Sequence, residues 1–306
     1  MRLVFAGTPA AAVPTLRTLI REHEIAAVIT RPDAPLGRKR VLTPSPVAQE
    51  AADYDLPVIK TARLDQEATE RIAALRPELG VIVAYGGLVR EPLLSVPTHG
   101  WINLHFSVLP QWRGAAPVQR ALIAGDAELG ASVFQLVPAL DAGDVFAART
   151  VPVPADADAD AALKLLAHDG AALTAQVVAN IEDGTALAHP QEGPVTVAPK
   201  LTLDDGLLNW DEPVQSVFAR WRGVTPEPGA HTTVGDVRVK ILAAAPADTA
   251  EALEPGELRA TKTALLIGTA TLPLAVTRVQ PAGKGAMNAT DWWRGVRSAQ
   301  TLRAGR

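Results

Sequence analysis

The feature that most constrains the fold is an alternation that runs from the first residues to His105. Short apolar runs rich in β-branched residues take turns with segments of helical period. Residues 2–6, 25–30, 57–59, 79–84 and 101–104 read as strands, and residues 9–20, 47–53 and 66–75 as helices. A chain that alternates in this way buries each strand on both faces by packing helices over a mostly parallel sheet. The expected class is therefore α/β, a doubly wound, mostly parallel sheet whose ligands bind beyond the carboxyl ends of the strands.

The pattern continues with a helix at 115–124, a strand pair at 132–137 and 145–153, and a long helix at 161–180 that stops near Asp183-Gly184. The next stretch, AHPQEGPVTVAPK, is rich in Pro and Gly and has no helical period. We divide the chain into a first domain at 1–188, a linker at 189–205 and a C-terminal domain at 206–306. Short β runs between Gly, Pro and Asp turns make the last of these a small barrel.

With 306 residues, 48% of them hydrophobic and 20% charged, the chain is long enough for two packed cores. It has no cysteine, so disulfide frameworks, thiolate metal sites and thiol nucleophiles are excluded. No apolar run reaches the roughly 18–20 residues that span a bilayer. The N-terminus lacks a signal-peptide pattern, and the expected location is cytoplasmic. Net charge is −4. The tail is nonetheless basic: Arg259, Lys262, Arg278, Lys284, Arg294, Arg297, Arg303 and Arg306 stand against Asp291 alone. Such asymmetry suits a polyanionic partner, or only an unevenly charged surface.

Four segments are candidates for chemistry. Ala6-Gly7-Thr8-Pro9 closes the first strand and opens a helix, but no G-x-G-x-x-G follows, which counts against a dinucleotide enzyme. Residues 31–46, RPDAPLGRKRVLTPSP, form an exposed basic loop at the same sheet edge, carrying Arg38, Lys39 and Arg40, that can grip phosphates or be merely solvated. In residues 101–117, WINLHFSVLPQWRGAAP, Asn103 and His105 lie two apart on a strand and share a face. A carboxamide can donate to charge developing on a carbonyl oxygen, and a neutral imidazole can take a proton near pH 7. Together they make an acyl-transfer pair, although an isolated strand-end histidine often has only a structural role. The main chain of Ser107, Val108, Leu109 and Pro110 can read a flat heterocycle. Finally, Leu140-Asp141-Ala142-Gly143-Asp144 is a turn whose carboxylate can orient His105 and raise its pKa. The remaining histidines show no metal-ligand spacing, and no metal is expected. Trp292-Trp293 can stack on bases or sit in a core.

These motifs have a family resemblance. AGTP, PDAPLGRKR, VIVAYG, INLHFSVLPQWRGAAPVQRALIAGD, LDAGD and QPAGKGAM resemble, over essentially the full length, the methionyl-tRNA formyltransferase family of folate-dependent formyltransferases. The resemblance implies a Rossmann-like catalytic domain at 1–188 and an OB-like tRNA-binding barrel at 206–306, with 10-formyltetrahydrofolate as co-substrate, the α-amino group of methionyl initiator tRNA as acceptor, and a monomer. Matched motif by motif, it implies catalytic roles for Asn103, His105 and Asp141, and folate contact at Ser107, Val108, Leu109 and Pro110. It also implies tRNA contact at Arg38, with Lys39 and Arg40 beside it. Phe106 departs from the usual Gly, Val108 from the usual Leu, and the basic loop is one residue shorter than in some relatives. Two other readings stand beside this one. The first is a related folate enzyme acting on a small amine or on water. The second is a tRNA-binding protein without catalysis, which leaves a complete Asn-His-Asp set unexplained.

Overall fold

The computed structural model describes residues 1–37, 39–249, 251–296 and 302–305. It divides into two compact units. The first comprises Met1–Pro117, Glu128–Pro152 and Leu163–Ala198; the second comprises Val118–Ala127, Val153–Ala162 and Pro199–Arg306.

The first unit begins with β1 (Arg2–Gly7), α1 (Val13–Ile20) and β2 (Glu24–Thr30). A hairpin follows, β3 (Ala34–Leu36) with β4 (Val41–Thr43), then α2 (Pro46–Asp53), β5 (Val58–Lys60), α3 (Gln66–Ala74) and β6 (Leu79–Val83). Next come β7 (Trp101–His105) and the two-residue β8 (Arg113–Gly114); α4 (Pro117–Ala124), which follows in the chain, belongs to the second unit in all but its first residue. The strands β9 (Glu128–Gln135) and β10 (Val145–Pro152), α5 (Ala159–Glu182) and β11 (Val197–Ala198) complete the first unit. The helices start where the sequence supplies caps: Ser45 accepts the Ala48 N–H at the head of α2, and Asp65 accepts that of Ala68 at the head of α3.

The main sheet has the order β10-β9-β7-β6-β1-β2-β5. β5, β2, β1, β6 and β7 run parallel, and β9 and β10 add an antiparallel edge. Leu3, Val4, Phe5 and Ala6 of β1 are all fully buried, so both faces of this central strand are covered. The chain winds outward through β2 and β5, then returns to the other side of β1 for β6 and β7. The strand order reverses between β1 and β6, and a doubly wound sheet opens its ligand crevice at such a reversal.

Two features differ from expectation. Residues 31–46 are not wholly irregular, because Ala34–Leu36 and Val41–Thr43 pair antiparallel as a two-stranded ribbon. Its turn uses Gly37 at φ +69° and Arg40 at φ +50°, and a ribbon outside the main sheet tolerates Pro35 without breaking a ladder there. The segment 189–198 is also not free chain. His189 bridges to Val145, and β11 pairs in parallel with β8.

The second unit is built on α6 (Val214–Val224), β12 (His231–Val234), β13 (Val237–Pro246), β14 (Leu258–Ala260) and β15 (Leu265–Ile267). It ends with β16 (Leu274–Pro281), β17 (Met287–Asn288), α7 (Ala289–Arg294) and β18 (Ala304–Gly305). The sheet order is β14-β15-β16-β13-β12-β18, all antiparallel, with β17 also on β16. A bridge between Glu257 and Arg303 brings the two ends together, giving a nearly closed barrel. Three tryptophans fill the core, two of them with a satisfied indole: Trp210 donates to Thr232 Oγ1 and Trp221 to the Ile241 carbonyl. The third, Trp292, is buried there, and Trp293 packs half-buried against the same core. Lys262, Arg278, Lys284, Arg294 and Arg303 are exposed.

Gly80 on β6 is required by close approach. A Cβ at that position would lie 2.1 Å from the ring of Trp101 on β7. That ring is fully buried, and its Nε1 donates to the Leu93 carbonyl at 2.9 Å. Gly80→Ala is expected to destabilise the first unit by about 1–3 kcal/mol. The check is a lower denaturant midpoint with an unchanged slope.

Candidate functional site

A cavity of 440 Å³ opens at the carboxyl ends of β6 and β7, beside the strand reversal. Its walls are mostly apolar, from Ile82, Tyr85, Leu88, Val89, Phe106, Leu136, Val137 and Pro138, and its polar side chains include Asn103, His105 and Asp141. An apolar cavity of this size with a few converging polar groups is the usual form of a small-ligand site.

The period of a strand places Asn103 and His105 on one face of β7. Asn103 is half-buried, and among the described residues nothing engages its carboxamide. His105 is buried, with 7% of its side chain exposed. Its Nε2 lies 2.8 Å from the carbonyl oxygen of Trp112. A carbonyl can only accept, so in the neutral ring the hydrogen sits on Nε2 and Nδ1 keeps its lone pair. Nδ1 faces Asp141, whose Oδ2 is 3.9 Å away. The same Oδ2 accepts the Gly114 N–H at 2.8 Å. The carboxylate therefore acts on the imidazole through charge rather than by a direct hydrogen bond.

Burial lowers the His105 pKa below the ordinary histidine value; Asp141 and the Trp112 carbonyl pull it upward but do not overcome burial. The carboxylate has the expected sign, but the cost of charging a buried ring is larger. His105 is accordingly a neutral base at pH 7.

Backbone strain is concentrated at this site. Ala84 and Asp141, which line the cavity, and Trp112, which holds the imidazole, adopt φ of +47°, +46° and +58°. Non-glycine residues rarely adopt this region, and those that do gather at functional sites.

The remaining expected residues lie elsewhere. Ser107, Val108, Leu109 and Pro110 are absent from the cavity lining. Ser107, Leu109 and Pro110 are buried, and Ser132 Oγ donates to the Ser107 carbonyl while accepting the Leu109 N–H. A Cβ on Gly130 would meet the Val108 side chain at 2.5 Å, so Val108 fills the space that glycine leaves. The loops at 84–89 and 136–140 form the walls instead. Sequence reasoning named parts of both, VIVAYG and LDAGD, but gave neither a binding role. Lys39 and Arg40 are exposed in the hairpin turn, and Arg38 lies outside the described residues.

The site predicts a titration. The His105 imidazole should titrate below about pH 6.5, the free-histidine value. Asp141→Asn removes the largest of the influences that raise it and should move the midpoint lower still. Side-chain NMR of both proteins checks this. A midpoint at or above the free value would contradict the burial argument.

Comparison with known proteins bears on what such a site does. The family model described as formyl transferase matches residues 1–178, and that described as formyl transferase, C-terminal domain, matches residues 200–297. The methionyl-tRNA formyltransferase of Clavibacter sepedonicus is 58% identical over 303 residues, covering 99% of each chain. That of Leifsonia xyli subsp. xyli is 58% identical over 296 residues, covering 97% of this chain and 98% of the relative. Among solved structures, the methionyl-tRNA formyltransferase from Clostridium thermocellum has a TM-score of 0.57 at 15% identity, covering 81% of this chain and 94% of that one. An N-formyltransferase from Helicobacter canadensis, in complex with folinic acid and dTDP-3-aminofucose, has a TM-score of 0.70 at 16% identity, covering 90% and 98%. At these identities the structures establish the shared fold, whereas the family models and the relatives establish kinship: the chain belongs to the methionyl-tRNA formyltransferase family.

Proposed function

We propose that this protein transfers the formyl group of 10-formyltetrahydrofolate to the α-amino group of methionyl initiator tRNA, and so supports the initiation of translation. The observation that carries the proposal is the convergence of Asn103, His105 and Asp141 in one cavity, in a chain 58% identical to named methionyl-tRNA formyltransferases.

The residues present fit a folate. The apolar walls at 84–89 and 136–140 suit a flat heterocycle, and the polar side chains lie together where a formyl group would be placed. Bound there, the co-substrate supplies an activated one-carbon unit. In this reading Ser107, Val108, Leu109 and Pro110 serve the folate indirectly. They fix the turn that follows β7, while Phe106 takes part in the wall.

The chain's own groups then account for the transfer. The bond from the amine nitrogen to the formyl carbon forms, and the bond from that carbon to the folate nitrogen breaks. Asn103, whose carboxamide is unengaged among the described residues, donates to the formyl oxygen as negative charge develops there. His105 Nδ1 takes the proton that the amine releases and passes it to the departing folate nitrogen. While the ring is charged, Asp141 at 3.9 Å stabilises it. Burial makes the same ring a poor place for a lasting charge, which favours return of the proton.

The acceptor reaches the site as part of a polyanion. Arg38, with Lys39 and Arg40, is assigned to the acceptor end of the tRNA, and the exposed cations of the C-terminal domain to its backbone. We take 1–188 as the catalytic domain, 189–205 as the connection and 206–306 as the tRNA-binding domain of a cytoplasmic monomer. No helix among the described residues is long and apolar enough to cross a membrane.

The direct test offers 10-formyltetrahydrofolate with charged initiator tRNA, an amino sugar nucleotide or a ribosyl-glycinamide, and follows formyl incorporation. Incorporation should occur on the tRNA; preference for a small amine would replace the reading. His105→Ala and Asp141→Asn are expected to lower turnover by about 100- to 10,000-fold while tRNA binding persists. Arg38→Ala should leave chemistry on bound tRNA intact but weaken tRNA binding and flatten its salt dependence. An unchanged salt slope would exclude phosphate contact by Arg38.

A further inference from the structure

The segment that follows α5 contributes side chains to the site's support, Gln191 foremost among them. Gln191 Oε1 accepts from Arg113 Nε at 3.1 Å and from Arg113 Nη2 at 2.6 Å. Its Nε2 donates to the Asp141 carbonyl at 2.8 Å and to the Gly143 carbonyl at 2.9 Å. Both hydrogens and both lone pairs of the amide are thus engaged. The two groups it joins are the two backbone segments that meet at the Asp141 carboxylate. Arg113 precedes Gly114, whose N–H holds Asp141 Oδ2, and Asp141 and Gly143 bound the turn from which that carboxylate projects.

Neither segment is held by local structure alone. Asp141 sits at φ +46°, a conformation that needs outside support. A Cβ on Gly143 would lie 1.7 Å from the Gln135 carbonyl oxygen, so the turn is pressed directly onto β9. On the other side, the Arg113 N–H donates to the Thr196 carbonyl and the Trp112 N–H to Thr196 Oγ1. The stretch from Gln191 to Ala198 therefore grips both the Asp141 turn and the segment whose Trp112 carbonyl holds His105.

We propose that Gln191 is a positioning residue for this reaction: by pinning the Asp141–Gly143 turn to Arg113, it fixes the Asp141 carboxylate at its distance from His105 Nδ1. The side chain has the chemistry the place demands. A carboxylate lacks the donors for two carbonyls, a cation lacks the acceptor for Arg113, and Asn is one methylene shorter. Asp141 is the charged group that acts on His105; the other neighbours described are the Trp112 carbonyl and the ring edge of Phe134. Displacement of Asp141 should therefore register at the imidazole.

The inference rests on the function proposed above, and its test separates the two. Gln191→Ala in the full chain is compared with the unaltered protein and with Asp141→Asn, by kinetics with 10-formyltetrahydrofolate and charged initiator tRNA and by NMR titration of His105. Turnover should fall about tenfold or more, with KM for either substrate within about twofold. The His105 midpoint should move lower, as in Asp141→Asn. Unchanged turnover, or reduced turnover with an unmoved midpoint, would overturn the assignment. Gln191→Glu, equal in size, keeps the acceptor toward Arg113 and loses both donors. It should melt like the unaltered protein yet show the same loss of turnover. Normal turnover in Gln191→Glu, or unfolding of both variants, would overturn the positioning role. If the unaltered protein formylates no tRNA, the proposed function fails, and the titration still decides what Gln191 does.

Discussion

A buried imidazole that gives its Nε2 hydrogen to a main-chain carbonyl has one nitrogen left for chemistry. At His105 that nitrogen faces a carboxylate, in a residue that lines an apolar cavity. This single hydrogen bond, to Trp112, decides the tautomer, and with it which nitrogen can act as base. Burial then keeps the ring uncharged at neutral pH, while Asp141 keeps the charged form reachable. A base that must take a proton and release it within one turnover needs both tendencies.

The rest of the first unit holds that arrangement in place. The sheet reversal between β1 and β6 opens the crevice, and β7 carries Asn103 and His105 to its rim. Trp112 and Asp141, which act on the imidazole, sit in a backbone conformation that L residues avoid. Each such residue costs on the order of 1–3 kcal/mol and persists only where surrounding contacts impose it. Gly114, Thr196 and Gln191 supply those contacts. The support comes largely from a stretch far along the chain, so the site depends on the closing of a long loop.

Much of this was legible in the sequence. Alternating apolar runs and helical periods gave the α/β class, and the spacing of Asn103 and His105 gave their common face. Both follow from local periodicity, which a single chain displays openly. The cavity walls were not legible, because the residues at 84–89 and 136–140 carry no distinctive chemistry. Ser107–Pro110, chosen by motif, lie outside the cavity lining, with the Ser107 carbonyl and the Leu109 N–H both engaged by Ser132. The hairpin at 34–43 was hidden by Pro35 and the basic residues, which read as loop. The net shift of His105 could not be inferred from the motif, since it depends on how far burial outweighs a neighbouring charge. Gln191 was missed for a similar reason: a Pro- and Gly-rich stretch reads as linker until its long-range partners are known.

The central claim is that neutral His105 is the base for formyl transfer. Single-turnover transfer to charged initiator tRNA, measured across pH alongside NMR titration of the same imidazole, tests it most directly. The account predicts that the acid limb of the rate and the His105 midpoint coincide, and that both move together when Asp141 becomes Asn. An acid limb that stays fixed while the imidazole midpoint moves would contradict it.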